Sequence, residues 1–153
     1  MSTAILNKKS LINHLEQLLE QKITKNQEQI TSLKESRDSD TKNSAGDKYE
    51  TGVEMIQQEI ENTQQQLNQF KKQQQELHRA RGQNASEVIS FGNLVLSSQG
   101  LYFLAIGLGE IKVDGQSCYC ISTASPLGSI FLGKKKGDKV HFKETAHRIE
   151  AIV

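Results

Sequence analysis

The sequence predicts an α+β protein: an N-terminal antiparallel coiled-coil hairpin followed by a small antiparallel β domain that carries one short helix. Three observations lead there. Apolar residues recur at helical spacing through residues 12–33 and again through 53–77. A polar stretch without any apolar seam separates the two series: residues 36–52, Ser-Arg-Asp-Ser-Asp-Thr-Lys-Asn-Ser-Ala-Gly-Asp-Lys-Tyr-Glu-Thr-Gly. After residue 86 the apolar period shortens to two and glycine becomes frequent.

The first helix starts near Ser10, a suitable N-cap just ahead of its first seam residue. Ile12, Leu15, Leu19, Ile23, Asn26, Ile30 and Leu33 then follow in steps of three and four. One 4–4 step at 15–19–23 departs from a strict heptad, an irregularity of the stutter kind. The second helix has the cleaner signal. Val53, Ile56, Ile60, Thr63, Leu67, Phe70, Gln74 and Leu77 trace an a/d seam with polar entries. The residues between are Gln, Glu, Lys and Asn, tolerable in a helix but unable to pack a core.

The two seams can be laid against each other. In an antiparallel hairpin, opposed residues have a nearly constant sum of sequence numbers. Leu33 with Val53, Ile30 with Ile56, Asn26 with Ile60, Ile23 with Thr63, Leu19 with Leu67 and Leu15 with Phe70 meet that condition. They place the reversal near Asn43, with arms roughly 38 Å long at 1.5 Å per residue. Residues 1–80 are therefore the hairpin, with an acidic tip at 36–52, and residues 81–86, Arg-Gly-Gln-Asn-Ala-Ser, are a linker.

Residues 87–153 form the β domain. Strands are expected at 87–91, 93–97, 101–106, 110–113, 118–122, 139–143 and 147–152, with turns at Ser98-Gln99-Gly100 and Asp114-Gly115. Residues 125–132 read as a short helix, with Ser125 as N-cap, Pro126 at the first helical position and Gly133 as its stop.

Composition narrows the function classes. A net charge of +1 gives no reason for a general nucleic-acid or membrane surface. No apolar run approaches 18 residues, so no membrane span is expected, and Ala4-Ile5-Leu6 is too short for a signal peptide. Cys118 and Cys120, two apart, suit free thiols of a cytoplasmic protein rather than a disulfide. A hairpin that satisfies its own seam is expected to be a monomer.

Candidate chemistry concentrates at the tip. Asp38, Asp40, Asp47 and Glu50 lie there, and Asp47 and Glu50 share a helix face if the second helix begins by Asp47. The helix dipole favours carboxylates in that first turn. Such a pair is either a set of capping acids or a holder of a hard cation such as Mg²⁺, which binds one or two carboxylates together with water and a substrate phosphate. Asp38-Ser-Asp-Thr-Lys-Asn fails as a calcium loop, because Lys42 and Asn43 replace a ligand and the required Gly. Cys118 and Cys120 with His141 and His147, if the latter oppose across the last hairpin, make a conceivable zinc site without motif spacing. Lys134-Lys135-Lys136-Gly137-Asp138 is a solvated turn or an electrostatic docking patch. With no nucleophile–base arrangement and no phosphate-binding Gly loop, the chain is not expected to be an enzyme by itself.

One segment is similar to a known family. Ser125-Pro-Leu-Gly-Ser-Ile-Phe-Leu-Gly-Lys-Lys-Lys-Gly-Asp-Lys-Val140 resembles the Ser-Pro…Gly-Lys-x-x-Gly-Asp segment of the bacterial Gre transcript-cleavage factors, and Asp47-Lys-Tyr-Glu50 resembles their tip, where acids precede a Tyr at the start of the second helix. The resemblance implies an FKBP-like C-terminal domain that docks at the mouth of the secondary channel of RNA polymerase, through Ser125, Pro126, Leu127, Gly133, Lys134, Gly137 and Asp138. It implies a coiled coil that reaches down the channel, with Tyr49 as a tip contact. Tip acids would help hold the Mg²⁺ of the polymerase active site, the only metal implied, and promote hydrolysis at the 3′ end of backtracked RNA, which is two-metal chemistry completed in trans. Aligned on Tyr49, Lys42 and Ala45 stand where the family has its two acids. A shifted register restores an Asp-x-x-Glu pair as Asp47 and Glu50; otherwise Asp40 and Asp38 substitute, or the protein occupies the channel as a regulator without cleavage. A peptidyl-prolyl isomerase or chaperone is the rival from another class, opposed by the scarcity of aromatics to line a proline pocket. A plain coiled-coil adaptor is the third, and it has no need of four tip carboxylates.

Overall fold

The computed structural model describes residues 7–43 and 47–153, with side chains described outside 40–51. Two long helices come first: α1 (Lys8–Asn43) and α2 (Asp47–Arg81). Asn7, rather than Ser10, caps α1. Its Oδ1 accepts from the N–H of Lys9 at 2.8 Å and of Ser10 at 3.4 Å. Asn caps as well as Ser does, and the buried face already begins at Leu11, which needs the helix to start earlier.

Most of the polar stretch 36–52 is helical. Helix runs to Asn43 and resumes at Asp47; residues 44–46, between the two helices, lie outside the described residues. Polar residues cost only tenths of a kcal/mol each in a helix that is already nucleated, so they do not stop it. The reversal sits about two residues later than the seam sums place it, which slides the opposed pairs by about one helical turn. Two cross-helix contacts agree with the later register: the Arg37 Nη1 donates to Gln57 Oε1 at 2.9 Å, and the Lys22 ammonium lies 5.4 Å from the centre of the Phe70 ring.

The chain divides into two compact units, Gln17–Gln74 and Met1–Glu16 with Gln75–Val153. The first is the helix pair. Ile23, Ile30, Ile60 and Leu67 form its buried core, flanked by Leu33, Ile56 and Phe70. Asn26 and Thr63 are buried in the same seam. The Thr63 hydroxyl donates to the Glu59 carbonyl at 2.8 Å, whereas Asn26 Nδ2 has no hydrogen-bond partner.

The second unit holds a six-stranded sheet. Its strands are β1 (Leu94–Ser97), β2 (Gly100–Leu104), β3 (Gly109–Val113), β4 (Gln116–Ile121), β5 (Lys139–Phe142) and β6 (Thr145–Ile152), with α3 (Pro126–Phe131) between β4 and β5. The order across the sheet is β3-β4-β2-β1-β6-β5. The sheet is mixed, not antiparallel: β2 and β4 run parallel, Tyr102 opposite Tyr119. Period-two patterning sets faces and not strand direction. Here β3 serves as the return strand of a β2–β4 crossover and takes the edge. The expected strand at 87–91 is reduced to a single bridge between Val88 and Lys135, because its backbone has only the short Gly133–Lys135 turn to pair with.

Alternation gives the sheet two buried faces. Tyr102, Leu104, Val95, Val140 and Ile149 gather with Ile89 and Phe131 of α3 in one cluster. On the other parity, Leu94, Leu101, Phe103, Cys118 and Cys120 are buried as well. The base of the helix pair belongs to this unit. Leu11, Leu15, Leu77 and Ala80 are fully buried, the Arg79 guanidinium lies 4.1 Å from the Phe91 ring centre, and Arg81 pairs with Glu16 at 2.9 Å. Residues 82–87 are exposed. Gly92, at φ 87°, lies so close to this base that an added Cβ would stand 2.8 Å from Gln83 Cβ and 3.3 Å from Ala80 Cα.

Candidate functional site

Two places collect the sequence-predicted site residues. At the hairpin reversal, α2 opens on Asp47, so Asp47 and Glu50 occupy its first turn at a spacing that puts them on one helix face. A helix N-terminus carries positive partial charge and unpaired N–H groups, which hold carboxylates ionised. The side chains of Asp40, Lys42, Asp47, Tyr49 and Glu50, and residue Ala45 altogether, lie outside what is described. Asp38 is described: it is exposed near the end of α1, and its Oδ1 is 3.4 Å from Arg37 Nε. Arg37 also reaches across to Gln57, so this acid sits beside a cation that ties the two helices.

The second place surrounds α3. Ser125 is its N-cap: the hydroxyl oxygen accepts from the Gly128 N–H at 3.0 Å, and the hydroxyl donates to the Ser122 carbonyl at 2.6 Å. Pro126 follows in the first turn. At the other end Gly133 takes φ 81° and stops the helix, as expected. Gly137 takes φ 93°, its N–H donates to Ile149, and the Asp138 carboxylate accepts from the Lys135 N–H at 2.8 Å. The Gly-Lys-x-x-Gly-Asp motif is thus built into a tight turn between α3 and β5. The named docking residues separate into two groups, Ser125–Leu127 at one end of α3 and Gly133–Asp138 at the other.

The first group borders a groove of about 530 Å³. Ser125, Pro126 and Leu127 form one wall, Tyr102 and Tyr119 of the parallel strand pair another, and Phe142, Lys143, Thr145 and His147 of the last hairpin a third. Tyr102 and Tyr119 stack with ring centres 5.4 Å apart, and Tyr102, Phe131 and His147 meet edge to face at 5.3–5.5 Å. His147 is 3% exposed, and its Nδ1 is 3.1 Å from Ser97 Oγ, within hydrogen-bond reach; Ser97 Oγ accepts from the Gln99 N–H. Burial pushes the His147 pKa below the usual imidazole value. Burial first, and Tyr119 second, push the Tyr102 phenol up; a hydrogen bond with Glu110 and that carboxylate's charge do the same for Tyr119. Aromatic scarcity is therefore offset by placement, since three of the chain's eight Phe and Tyr residues line this one groove.

The conceivable zinc site does not assemble. His141 pairs with Ala146 and is exposed, whereas His147 pairs with Val140 on the core face, so the two imidazoles point to opposite sides. Cys118 and Cys120 are buried on the parity opposite to Tyr119, whose partner Tyr102 packs with His147. A hydrogen bond between the thiols, then burial, raises the Cys120 pKa, which keeps it protonated. Among the described residues no group of three metal-binding side chains occurs, and no helix is long and apolar enough to cross a membrane.

Sequence reasoning did not single out Tyr102, Tyr119, Phe142 and His147 as groove residues. A signal was present: Tyr119 has the parity opposite to the cysteines on either side of it. The pairing with Tyr102 depends on the parallel β2–β4 contact, which local pattern does not carry. Neither protein-family models nor curated protein sequences give a match to this chain.

Proposed function

We propose that this protein is a Gre-like factor that binds RNA polymerase at its secondary channel, presents the acids of its hairpin reversal to the active site, and stimulates cleavage of backtracked RNA. The observation that carries the reading is the start of α2 at Asp47, immediately after the reversal of a long helix pair. The hairpin supplies a slender arm, about 40 Å long for residues 17–43 or 47–74 at 1.5 Å per residue. Asp47 and Glu50 are hard oxygen donors of the kind Mg²⁺ accepts, with Asp40 and Asp38 on the opposing arm. The metal, held chiefly by the polymerase, would activate water and offset charge on the phosphodiester. The chain's own share is to place carboxylates at a helix N-terminus, whose dipole favours negative charge, and to dock through an FKBP-like domain. The two ends of α3 supply that docking face: Ser125–Leu127 beside the aromatic groove and Gly133–Asp138 in the turn beyond.

Stalled, backtracked elongation complexes test this. Adding the protein with Mg²⁺ is expected to shorten the transcripts, and Asp47→Ala with Glu50→Ala to abolish shortening while leaving polymerase binding in place. Binding without shortening by the unmodified chain would instead identify a channel-binding regulator that lacks cleavage. The aromatic groove favours one second reading, a peptidyl-prolyl isomerase; measurable turnover of a proline peptide, lost in Tyr102→Ala, would support it.

A further inference from the structure

The turn between α3 and β5 gathers positive charge that the surrounding fold leaves unneutralised. From Leu132 to Arg148 the chain has six cations, Lys134, Lys135, Lys136, Lys139, Lys143 and Arg148, against two acids, Asp138 and Glu144, a formal +4 in a chain of net +1. Lys134, Lys135 and Lys136 lie in the turn itself, and Lys139 of β5 stands directly opposite Arg148 of β6, both exposed. Like charges facing each other across a strand pair cost stability. The acid within the turn is already engaged: the Asp138 carboxylate accepts from the Lys135 N–H at 2.8 Å. Glu87 and Glu150, each next in sequence to a residue that bonds the turn, are exposed and form no ion pair with these cations; the ion pairs among the described residues are Arg37 with Asp38 and Arg81 with Glu16.

The backbone beneath the charges is fixed. The Gly133 N–H donates to Ile89 at 2.9 Å, the Ile89 N–H to Lys134 at 2.8 Å and the Gly137 N–H to Ile149 at 2.7 Å. Beside them Leu132, at the C-terminal cap of α3, is 39% exposed, one of three exposed large apolar side chains among the described residues. Lysine on an edge strand guards against unwanted strand pairing. That accounts for Lys139 on the edge strand β5, but not for Lys134–Lys136, which precede the strand.

We propose that this turn is a docking surface for an acidic segment of another protein, with carboxylates spread over Lys134, Lys135, Lys136 and Lys139 and an apolar side chain laid on Leu132. It concerns one part of the docking face named above but does not need the polymerase as its partner. Charge complementarity sets the sign of the partner. Leu132 selects a polypeptide over a nucleic acid: a phosphate backbone offers nothing to an exposed aliphatic group, and a cluster of Lys, Arg and Leu gives bases no ring to stack on. The ordered backbone confines the cost of binding to side-chain freedom. Exposed charges are screened by salt, so the contact weakens as ionic strength rises.

The test uses the full isotope-labelled chain and a synthetic peptide of four Glu-Leu-Glu repeats, followed by the amide NMR spectrum. At low salt the expected result is a saturable shift confined to the signals of Leu132–Lys139, Arg148 and their immediate neighbours. The dissociation constant is expected to rise tenfold or more at physiological salt, and by as much in Lys135→Glu with Lys136→Glu. Lys71→Glu with Lys72→Glu, the same charge change at exposed positions of α2, is expected to leave it within about twofold. A peptide of Glu-Gly-Glu repeats is expected to bind severalfold more weakly. Absence of saturable shifts, shifts centred elsewhere, or equal losses in the two charge-reversed variants would overturn the proposal. An oligothymidylate of equal charge that moves the same signals with higher affinity than the peptide would overturn the choice of a polypeptide. The experiment contains no polymerase, so its failure is distinct from failure of the transcript-shortening assay.

Discussion

Gly128→Ala isolates the part of the fold that shapes the groove wall beside α3 and, with it, the proposed docking face. Gly128 is buried one turn into α3, where Ala would ordinarily be preferred to Gly by about 1 kcal/mol. Here the added methyl would overlap the Ser122 carbonyl oxygen and stand 2.8 Å from Ser125 Oγ and 3.1 Å from the Ser122 carbonyl carbon. Two of these atoms are backbone, and Ser122 O and Ser125 Oγ are held by the capping bonds at 2.6 and 3.0 Å. Relief of the overlap has to pull α3 from the β4–α3 turn. The cap contributes about 1 kcal/mol and overpacking costs about 1–3 kcal/mol. Against the propensity gain, the net loss is about 1–3 kcal/mol. Urea unfolding followed by tyrosine fluorescence is the suitable assay, because the chain has no Trp and two of its three Tyr residues flank this groove. A midpoint equal to or above that of the unmodified protein would refute the reasoning, since it would mean that the close approach of α3 to Ser122 does not exist.

Other outcomes follow from the same structure. Asn26→Leu removes an unpartnered amide from the buried seam and is expected to stabilise the helix pair by about 1–2 kcal/mol, read as a rise in the thermal midpoint by circular dichroism. His147, whose folded pKa is depressed, contributes stability that is fully present above its unfolded value near 6.5 and is lost as pH falls through the folded value; the urea midpoint of the unmodified chain should therefore drop more steeply below pH 6.5 than that of His147→Gln. Arg81→Ala breaks the link to Glu16 and Asn13 at the helix base; because the pair is partly solvated, a loss of only about 0.5–1 kcal/mol is expected in the same unfolding assay.

Much of the architecture is legible in the chain because it rests on periodicity. Every α1 seam position from Ile12 to Ile30 is buried, and the Ser125–Pro126 start and Gly133 stop of α3 are local signals that the fold uses as written. The register of the helix pair was less legible. A seam of alternating threes and fours matches itself again after one turn, so a shift of about four in the pair sums leaves apolar residues facing apolar residues. The position of the reversal decides between the two registers, and that depends on how far polar residues let a nucleated helix run. Gln74 was expected in the α2 seam and is exposed, while Gln73 is half-buried, a drift that follows from 3.6 residues per turn against a heptad repeat. The parallel β2–β4 pair and the groove it creates are tertiary facts. Tyr102 and Tyr119 are 17 positions apart, and nothing local joins them.

Docking comes before any chemistry at the reversal, so polymerase binding tests the account most directly. Labelled full-length protein titrated with bacterial core RNA polymerase is expected to bind at neutral pH. Leu127→Asp, which puts a charge into the groove wall, is expected to weaken that binding by tenfold or more, while Asp47→Ala with Glu50→Ala leaves it within about twofold. No measurable binding by the unmodified chain, or binding indifferent to Leu127→Asp and lost with the tip acids, would contradict the account.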